Sequence, residues 1–267
     1  KLSSERAFVW LRRDMTPREQ VAVHNLGQPG LAFQREQKRV YPNGHMASHI
    51  LGGVDVDNRG IAGMEHHLNG AEGAATEPLA LSIDLRVQHA LRTELVIAMD
   101  EFSALAAMGI VIDIQTGEVM AMTSLPDFDP NDPMASPERA RFNAATLGVY
   151  EMGSTFKLFT AAMALDMGTV TMKSGYDASK PIHIARFNIS DYHPENRWLS
   201  VPEIILHSSN IGSAKMAIDV GTDGQQEYLR RLGFLDAPKL ELPEIGAPLL
   251  PSPWRPINTM TISYGHG

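Results

Sequence analysis

Tyr150-Glu151-Met152-Gly153-Ser154-Thr155-Phe156-Lys157, continued by the apolar run Leu158 to Leu165, is the stretch around which this chain is organised. Gly153 permits a sharp entry, and Ala161, Ala162, Met163, Ala164 and Leu165 are good helix formers. The sequence therefore predicts a turn that delivers Ser154 onto the first turn of a buried helix, with Gly168 as its stop. Lys157 lies three positions after Ser154 and on the same helical face, so hydroxyl and amine share one pocket. Ser-x-x-Lys is the spacing a serine nucleophile needs when a lysine takes its proton. The helix N-terminus adds N–H donors and a positive dipole end, which favour an oxyanion and a neutral amine. A serine at a helix start also serves as a plain cap. The preceding glycine, the apolar helix behind it and a second motif downstream favour the catalytic reading.

That second motif is Ser208-Ser209-Asn210, which gives Ser-x-Asn 54 residues after Ser154. Ser200-Val201-Pro202-Glu203 is a capping box opening a short apolar helix, Ile204-Ile205-Leu206. His207 to Asn210 breaks it, and a second helix resumes through Ile211, Ala214, Met216 and Val220. Residues 224–232 read as another amphipathic helix and Leu249 to Pro256 as a proline-bound loop.

The 267 residues suffice for one large domain or two smaller ones with a real core. A net charge of −8 argues against a nucleic-acid groove or a polybasic membrane surface. Cysteine is absent, which excludes disulfides, thiolate chemistry and cysteine metal sites. No run reaches the roughly 18 apolar residues of a membrane span.

The first 70 or so residues are basic, turn-rich and without a catalytic constellation. Thr16-Pro17-Arg18-Glu19 is a helix start with a capping box. Arg39-Val40-Tyr41-Pro42-Asn43-Gly44 reads as a short strand entering a turn, and Asp57 to Glu65 as a glycine-punctuated turn into a short helix. His45 with His49, and His66 with His67, lack a third metal ligand. Residues 70–78 are the linker candidate. Beyond it Leu79 to Leu85 alternates like a strand, and Leu85 to Phe102 carries helical spacing. Residues 108–114 and 118–123 flank Gln115-Thr116-Gly117 as a β-hairpin whose apolar content suits a central position in an antiparallel sheet. The acidic residues of 126–133 read as a solvated, proline-rigid turn rather than a cation site.

With Ser154-x-x-Lys157 followed by Ser208-x-Asn210, the chain resembles the penicillin-binding proteins, and within them the class B, division-specific members. Arg39-Val40-Tyr41-Pro42, Gly60-Ile61-Ala62-Gly63-Met64-Glu65, Leu81-Ser82-Ile83-Asp84 and Ser208-Ser209-Asn210-Ile211-Gly212 carry the same resemblance, which covers nearly the whole chain. It implies an α+β fold, an antiparallel sheet flanked by helices, preceded by an elongated non-catalytic domain. Residues 1–76 would belong to that pedestal and 77–267 to the N-terminal part of the transpeptidase domain. The implied reaction is cross-linking of peptidoglycan stem peptides ending in D-alanyl-D-alanine during septum formation, through a serine acyl-enzyme that β-lactams also form. Ser154 would be the nucleophile, Lys157 its base, Ser208 a proton relay, and Asn210 the residue orienting Lys157 and the substrate amide. No cofactor, metal or nucleic acid is implied. Implied partners are cell-division membrane proteins, a septal glycosyltransferase among them. The implied location is the inner membrane, with one N-terminal anchor and the catalytic domain in the periplasm.

Two features depart from the family pattern. The family's anchor is not in this sequence, and its Lys-Thr-Gly strand should follow Ser-x-Asn by many residues. Lys173-Ser174-Gly175 imitates that motif but precedes Ser208 and reads as a turn. The expectation is a fold incomplete at both ends, with two of three catalytic elements and no competence until the third is supplied. The rival readings are a β-lactamase-like or carboxypeptidase hydrolase on the same scaffold, and a non-catalytic division scaffold or β-lactam receptor.

Overall fold

The computed structural model describes residues 8–69, 78–184 and 187–266. The chain divides into two compact units, residues 1–147 with 240–244 and residues 148–239 with 245–267, each taken here by itself. Helices and strands are mixed, and every strand pair among the described residues is antiparallel, as the α+β class requires. The linker expected at 70–78 lies, except for Pro78, outside the described residues.

The first unit opens with α1 (Pro17–His24), begun by the predicted capping box between Thr16 and Glu19. Residues 39–41 do not form the expected strand. Tyr41 is buried, and its backbone N–H and C=O are both taken by the Asn131 side-chain amide, each at 2.9 Å, so an amide stands in for a neighbouring strand. The predicted turn does follow, with Gly44 N–H donating to Tyr41 C=O. Next come α2 (Ser48–Leu51), β1 (Gly53–Val54), β2 (Gly60–Ala62) and α3 (Gly63–Asn69). His49 is buried in α2, its Nε2 2.9 Å from Ala140 C=O and its ring edge-on to Phe128. Its role is that of a satisfied core histidine, and burial holds its pKa below the usual value.

The helix predicted over Leu85 to Phe102 is α4, with those bounds, and Asp84 caps it by accepting from Arg86 N–H. The preceding residues, expected as a strand, make only isolated bonds to β4 (Val119–Leu125). Ser82 Oγ donates to Val119 C=O and Asp84 N–H to Met120 C=O, before the capping geometry at Asp84 turns the backbone away. β3 (Ala107–Ile112) and β4 form the predicted hairpin. Its turn is set by the Asp113 carboxylate, which accepts from the N–H groups of Gln115 and Thr116, and by Gly117 at φ +79°. Neither strand takes the expected central position: among the described residues each has one partner, and Ile110, Ile112 and Ile114 are exposed. Apolar content reports which faces are covered, not how many edges are paired.

Gly109 lets α4 close on the hairpin, since a Cβ there would stand 2.8 Å from Leu91 Cδ1. Gln88, 1% exposed, fastens the same contact. Its amide nitrogen donates to Met122 C=O (2.8 Å) and Thr123 Oγ1 (2.9 Å), and its oxygen accepts from Met122 N–H (2.8 Å).

The second unit is built from α6 (Lys157–Asp166), numbered after the short α5 (Ala144–Leu147) of the first unit, with β5 (Gly175–Asp177) paired to β8 (Trp198–Ser200) and β6 (Ile182–Ile184) paired to β7 (Phe187–Ile189). α7 (Val201–Leu206) begins at the predicted Ser200–Glu203 capping box, and α8 (Asn210–Val220), α9 (Thr222–Arg231) and α10 (Pro256–Ile262) follow. Ala164, Leu199, Ile204, Ile211 and Met216 are almost wholly excluded from solvent and form its core. Gly212 brings α8 against α7, because a Cβ there would meet Ile204 Cγ1 at 2.5 Å. Lys173 and Ser174 lie in the turn between α6 and β5, where Thr171 N–H donates to Ser174 Oγ and Val201 N–H to Ser174 C=O, and Gly175 opens β5 opposite Ser200.

The Gln88 contact gives a direct test. Replacing Gln88 by Leu keeps the volume but leaves both Met122 backbone groups buried and unpaired, at about 1–3 kcal/mol each. Urea unfolding of Gln88→Leu should show a loss of about 2–4 kcal/mol; a loss below about 0.5 kcal/mol would mean that water reaches those groups.

Candidate active site

Gly153, at φ +60°, admits the chain to a single 3₁₀ turn over Gly153–Phe156, and α6 takes over at Lys157. Ser154 thus sits on a 3₁₀ turn rather than on the α-helix itself. In a 3₁₀ turn residues i and i+3 eclipse, which aligns Ser154 and Lys157 more directly than an α-turn would. Two contacts hold the turn from behind. Gly153 N–H donates to Gly265 C=O at 3.0 Å, and Thr160 Oγ1 donates to Ser263 C=O at 2.8 Å. Gly265, at φ +72°, is so close that a Cβ would stand 2.2 Å from Gly153 C=O oxygen.

Ser154 is exposed, whereas Lys157 is only 2% exposed. Lys157 Nζ lies 3.1 Å from Ser154 Oγ, 2.8 Å from Ser208 Oγ and 2.6 Å from Ser208 C=O. An ammonium would donate to all three oxygens. A neutral amine has two N–H bonds, which the two Ser208 oxygens absorb, and a lone pair that then faces the Ser154 hydroxyl. Burial pulls the Lys157 pKa down from 10.5 to about 8, against the opposing charge of Asp191. The base-competent form is therefore accessible near neutral pH.

Both Ser208 contacts come from an uncommon backbone. Ser208 N–H donates to Ile205 C=O and Ser209 N–H to Ile204 C=O, the two bonds of a Schellman ending to α7. The left-handed residue of such an ending is usually glycine; here it is Ser208, at φ +53°. That conformation costs a side-chain-bearing residue about 1–2 kcal/mol. In exchange it turns the hydroxyl and carbonyl of one residue toward the same amine. Ser209 serves both helices: it closes α7 and caps α8, its Oγ accepting from Gly212 N–H at 2.9 Å.

The structure thus brings Ser154, Lys157 and Ser208 together. Asn210 is placed otherwise than expected toward Lys157: its amide nitrogen donates to Ser190 C=O at 2.9 Å, because position one of α8 points that side chain at the β7 exit. The residue that sequence reading passed over is Asp191, buried behind the loop and bonded to Ser209 Oγ and Ile211 N–H. It lies in a polar, aperiodic stretch, and no spacing in the sequence marks it. Gly265 was likewise unmarked.

The family described as the penicillin binding protein transpeptidase domain matches residues 107–267. The chain is 42% identical over 266 residues to the probable peptidoglycan D,D-transpeptidase FtsI of Caulobacter vibrioides, covering 98% of this chain and 45% of that protein. It is 28% identical over 287 residues to the peptidoglycan D,D-transpeptidase FtsI of Escherichia coli, covering 97% and 48%. The chain spans about half the length of these relatives. Among solved structures it is similar to penicillin binding protein 3 of Mycobacterium tuberculosis (TM-score 0.76, 24% identity, covering 86% of this chain and 55% of that one), a likeness of fold. A peptidoglycan glycosyltransferase from Burkholderia ambifaria matches with TM-score 0.61 and 31% identity, over 70% and 56% of the two chains.

The left-handed backbone at Ser208 sets apart two substitutions that remove the same hydroxyl. Of the two variants, Ser208→Gly and Ser208→Ala, the glycine variant should be the more stable by about 1 kcal/mol in denaturant unfolding, because alanine pays for the left-handed backbone and glycine does not. Equal stabilities would show that the conformation carries no strain.

Proposed function

The chain belongs to the penicillin-binding protein transpeptidase family, and from that membership we propose that it is part of a serine peptidoglycan D,D-transpeptidase of the class B, division-specific kind. The observation that carries the chemistry is a buried lysine whose Nζ lies 3.1 Å from Ser154 Oγ and 2.8 and 2.6 Å from the hydroxyl and carbonyl oxygens of Ser208. In the proposed reaction Ser154 Oγ attacks the penultimate carbonyl of a D-alanyl-D-alanine stem peptide as Lys157 takes its proton. The Ser154 N–H donates to the resulting oxyanion. As the bond between the carbonyl carbon and the D-alanine nitrogen breaks, Ser208 gives its hydroxyl proton to that nitrogen and takes back from Lys157 the proton that came from Ser154, which leaves Lys157 neutral. An amine from a neighbouring stem peptide then attacks the acyl-enzyme, which restores the serine and forms the cross-link. β-Lactams acylate the same oxygen. Asn210 is assigned to the substrate amide.

The division role draws its support from the relatives named FtsI. We assign residues 1–76 to a non-catalytic pedestal and 77–267 to the transpeptidase domain. The location proposed is the periplasmic face of the inner membrane, in company with division proteins that include a septal glycosyltransferase. No helix among the described residues is long and apolar enough to cross a membrane.

Two measurements on the intact protein check this reading. Ser154→Ala should abolish covalent labelling by a fluorescent penicillin while leaving the unfolding transition in place; a mutant labelled like its parent would end the assignment. The acylation rate of the parent should rise with pH to a plateau, with its midpoint at about 8, where Lys157 loses its proton. Below that the rate should fall roughly tenfold per pH unit. Lys157→Arg cannot supply a neutral form and should acylate orders of magnitude more slowly at every pH. A flat parent profile would place the base elsewhere.

A further inference from the structure

Asp191 makes no hydrogen bond to Ser154 or Lys157 among the described residues, yet it is buried and each of its carboxylate oxygens accepts a hydrogen bond at the Ser-x-Asn loop. Oδ2 accepts from Ser209 Oγ at 2.8 Å and Oδ1 from Ile211 N–H at 3.0 Å. Both donors lie at the start of α8, where unsatisfied N–H groups and the helix dipole favour an anion. The two bonds flank Asn210 and begin one residue after Ser208. Ser209 is also the last residue of the Schellman ending, so what fixes Ser209 fixes the carbonyl side of Ser208. Ser213 Oγ donates to Ser209 C=O at 2.9 Å and completes the hold.

We propose that Asp191 is a positioning residue of this site: its carboxylate clamps Ser209 to the first turn of α8, holds Ser208 in its left-handed conformation, and so aims both Ser208 oxygens at Lys157. The proposal rests on the acyl-transfer reading above. A serine in that conformation relaxes to ordinary backbone unless something on each side opposes it. The α7 ending opposes it on one side and Asp191 on the other. Without the clamp, the Ser208 carbonyl and hydroxyl no longer converge, the two acceptors that use up the amine's N–H bonds are lost, and the lone pair is no longer held toward Ser154.

The clamp carries a second signature. Asp191 is the charge that acts on Lys157, and it favours the protonated amine. Tyr192 and His193 follow Asp191 in the chain and pack edge-on against each other. His207 Nδ1 faces Glu195 at 3.1 Å, Glu203 pairs with Arg197, Lys215 Nζ donates to Asp177 C=O, and His266 faces Glu151. Neutralising Asp191 therefore loosens the geometry and lowers the Lys157 pKa together, whereas plain destabilisation does only the first.

The experiment is stopped-flow acylation of the intact protein by a fluorescent penicillin across pH 5–10, with Asp191→Ala, Asp191→Asn and Asp191→Glu beside the parent. Asp191→Ala should acylate about 10–100-fold more slowly at saturating penicillin, with noncovalent affinity nearly unchanged. Asp191→Asn keeps shape and one acceptor, so it should fold even where the alanine variant does not. Its rate–pH midpoint should move to lower pH. Asp191→Glu should retain the parent midpoint. Variants that match the parent in both rate and midpoint overturn the proposal. A parent that is not acylated at Ser154 overturns the functional reading instead. In that case the Lys157 pKa, followed by NMR of ¹⁵N-lysine-labelled protein, still tests the clamp: a lower pKa in Asp191→Asn supports it and an unchanged one rejects it.

Discussion

The second unit turns on the burial of one amine. An ammonium taken out of water without partners is costly, and the usual outcome is either an ion pair or a neutral amine. Among the described residues no carboxylate meets Lys157 directly; its partners there are three oxygens of Ser154 and Ser208. The amine is thereby satisfied in either protonation state, and the gap between the two is small enough for a pKa of about 8. A carboxylate in place of Ser208 would hold the proton on nitrogen and remove the proposed base.

That choice dictates the surroundings. Oxygen acceptors from a single residue can converge on one atom only if the backbone turns sharply, and Ser208 does so at a conformational cost of about 1–2 kcal/mol. The cost is offset by bonds that each serve two purposes. Ser209 ends one helix and starts the next, and Asp191 engages its hydroxyl together with the Ile211 N–H. On the Ser154 side the same economy holds: Gly153 and Gly265, both at positive φ, approach within a distance no side chain allows, and their backbone bond fixes the entry to Ser154. Strain concentrates at the residues that face the reaction and is countered by buried structure behind them.

How much of this could be read from the residues follows from what each kind of signal encodes. The capping boxes at Thr16 and Ser200, the α4 span from Leu85 to Phe102 and the hairpin around Gly117 were legible because they depend on neighbours a few positions apart. Ser-x-x-Lys was legible for the same reason. The strands expected at 39–41 and 79–85 failed for different reasons: an Asn131 amide ninety residues away takes the backbone of Tyr41, whereas a local cap at Asp84 turns the second segment into α4. Within the site, the proximity of Ser208 to Lys157 was expected from motif order, but the direction of Asn210 and the presence of Asp191 were not. Both depend on which loop passes behind α8, and that is settled by β7 and the chain leaving it, where local periodicity carries no information.

Asp191 also exposes a conflict that the site has to resolve. An anion at the start of α8 holds the loop, yet an anion near Lys157 opposes the neutral amine on which the proposed chemistry depends. Coulomb attraction falls only with distance and screening, so the conflict cannot be removed by geometry alone. It is reduced by where the carboxylate directs its lone pairs. Hydrogen bonds from Ser209 and from the Ile211 backbone draw its charge toward the dipole of α8, while Lys157 is left to neutral oxygens. The net effect on the lysine is still a fall, because burial outweighs the carboxylate. The same carboxylate therefore limits how far that fall can go, and it couples the rigidity of the loop to the pH at which the base becomes available.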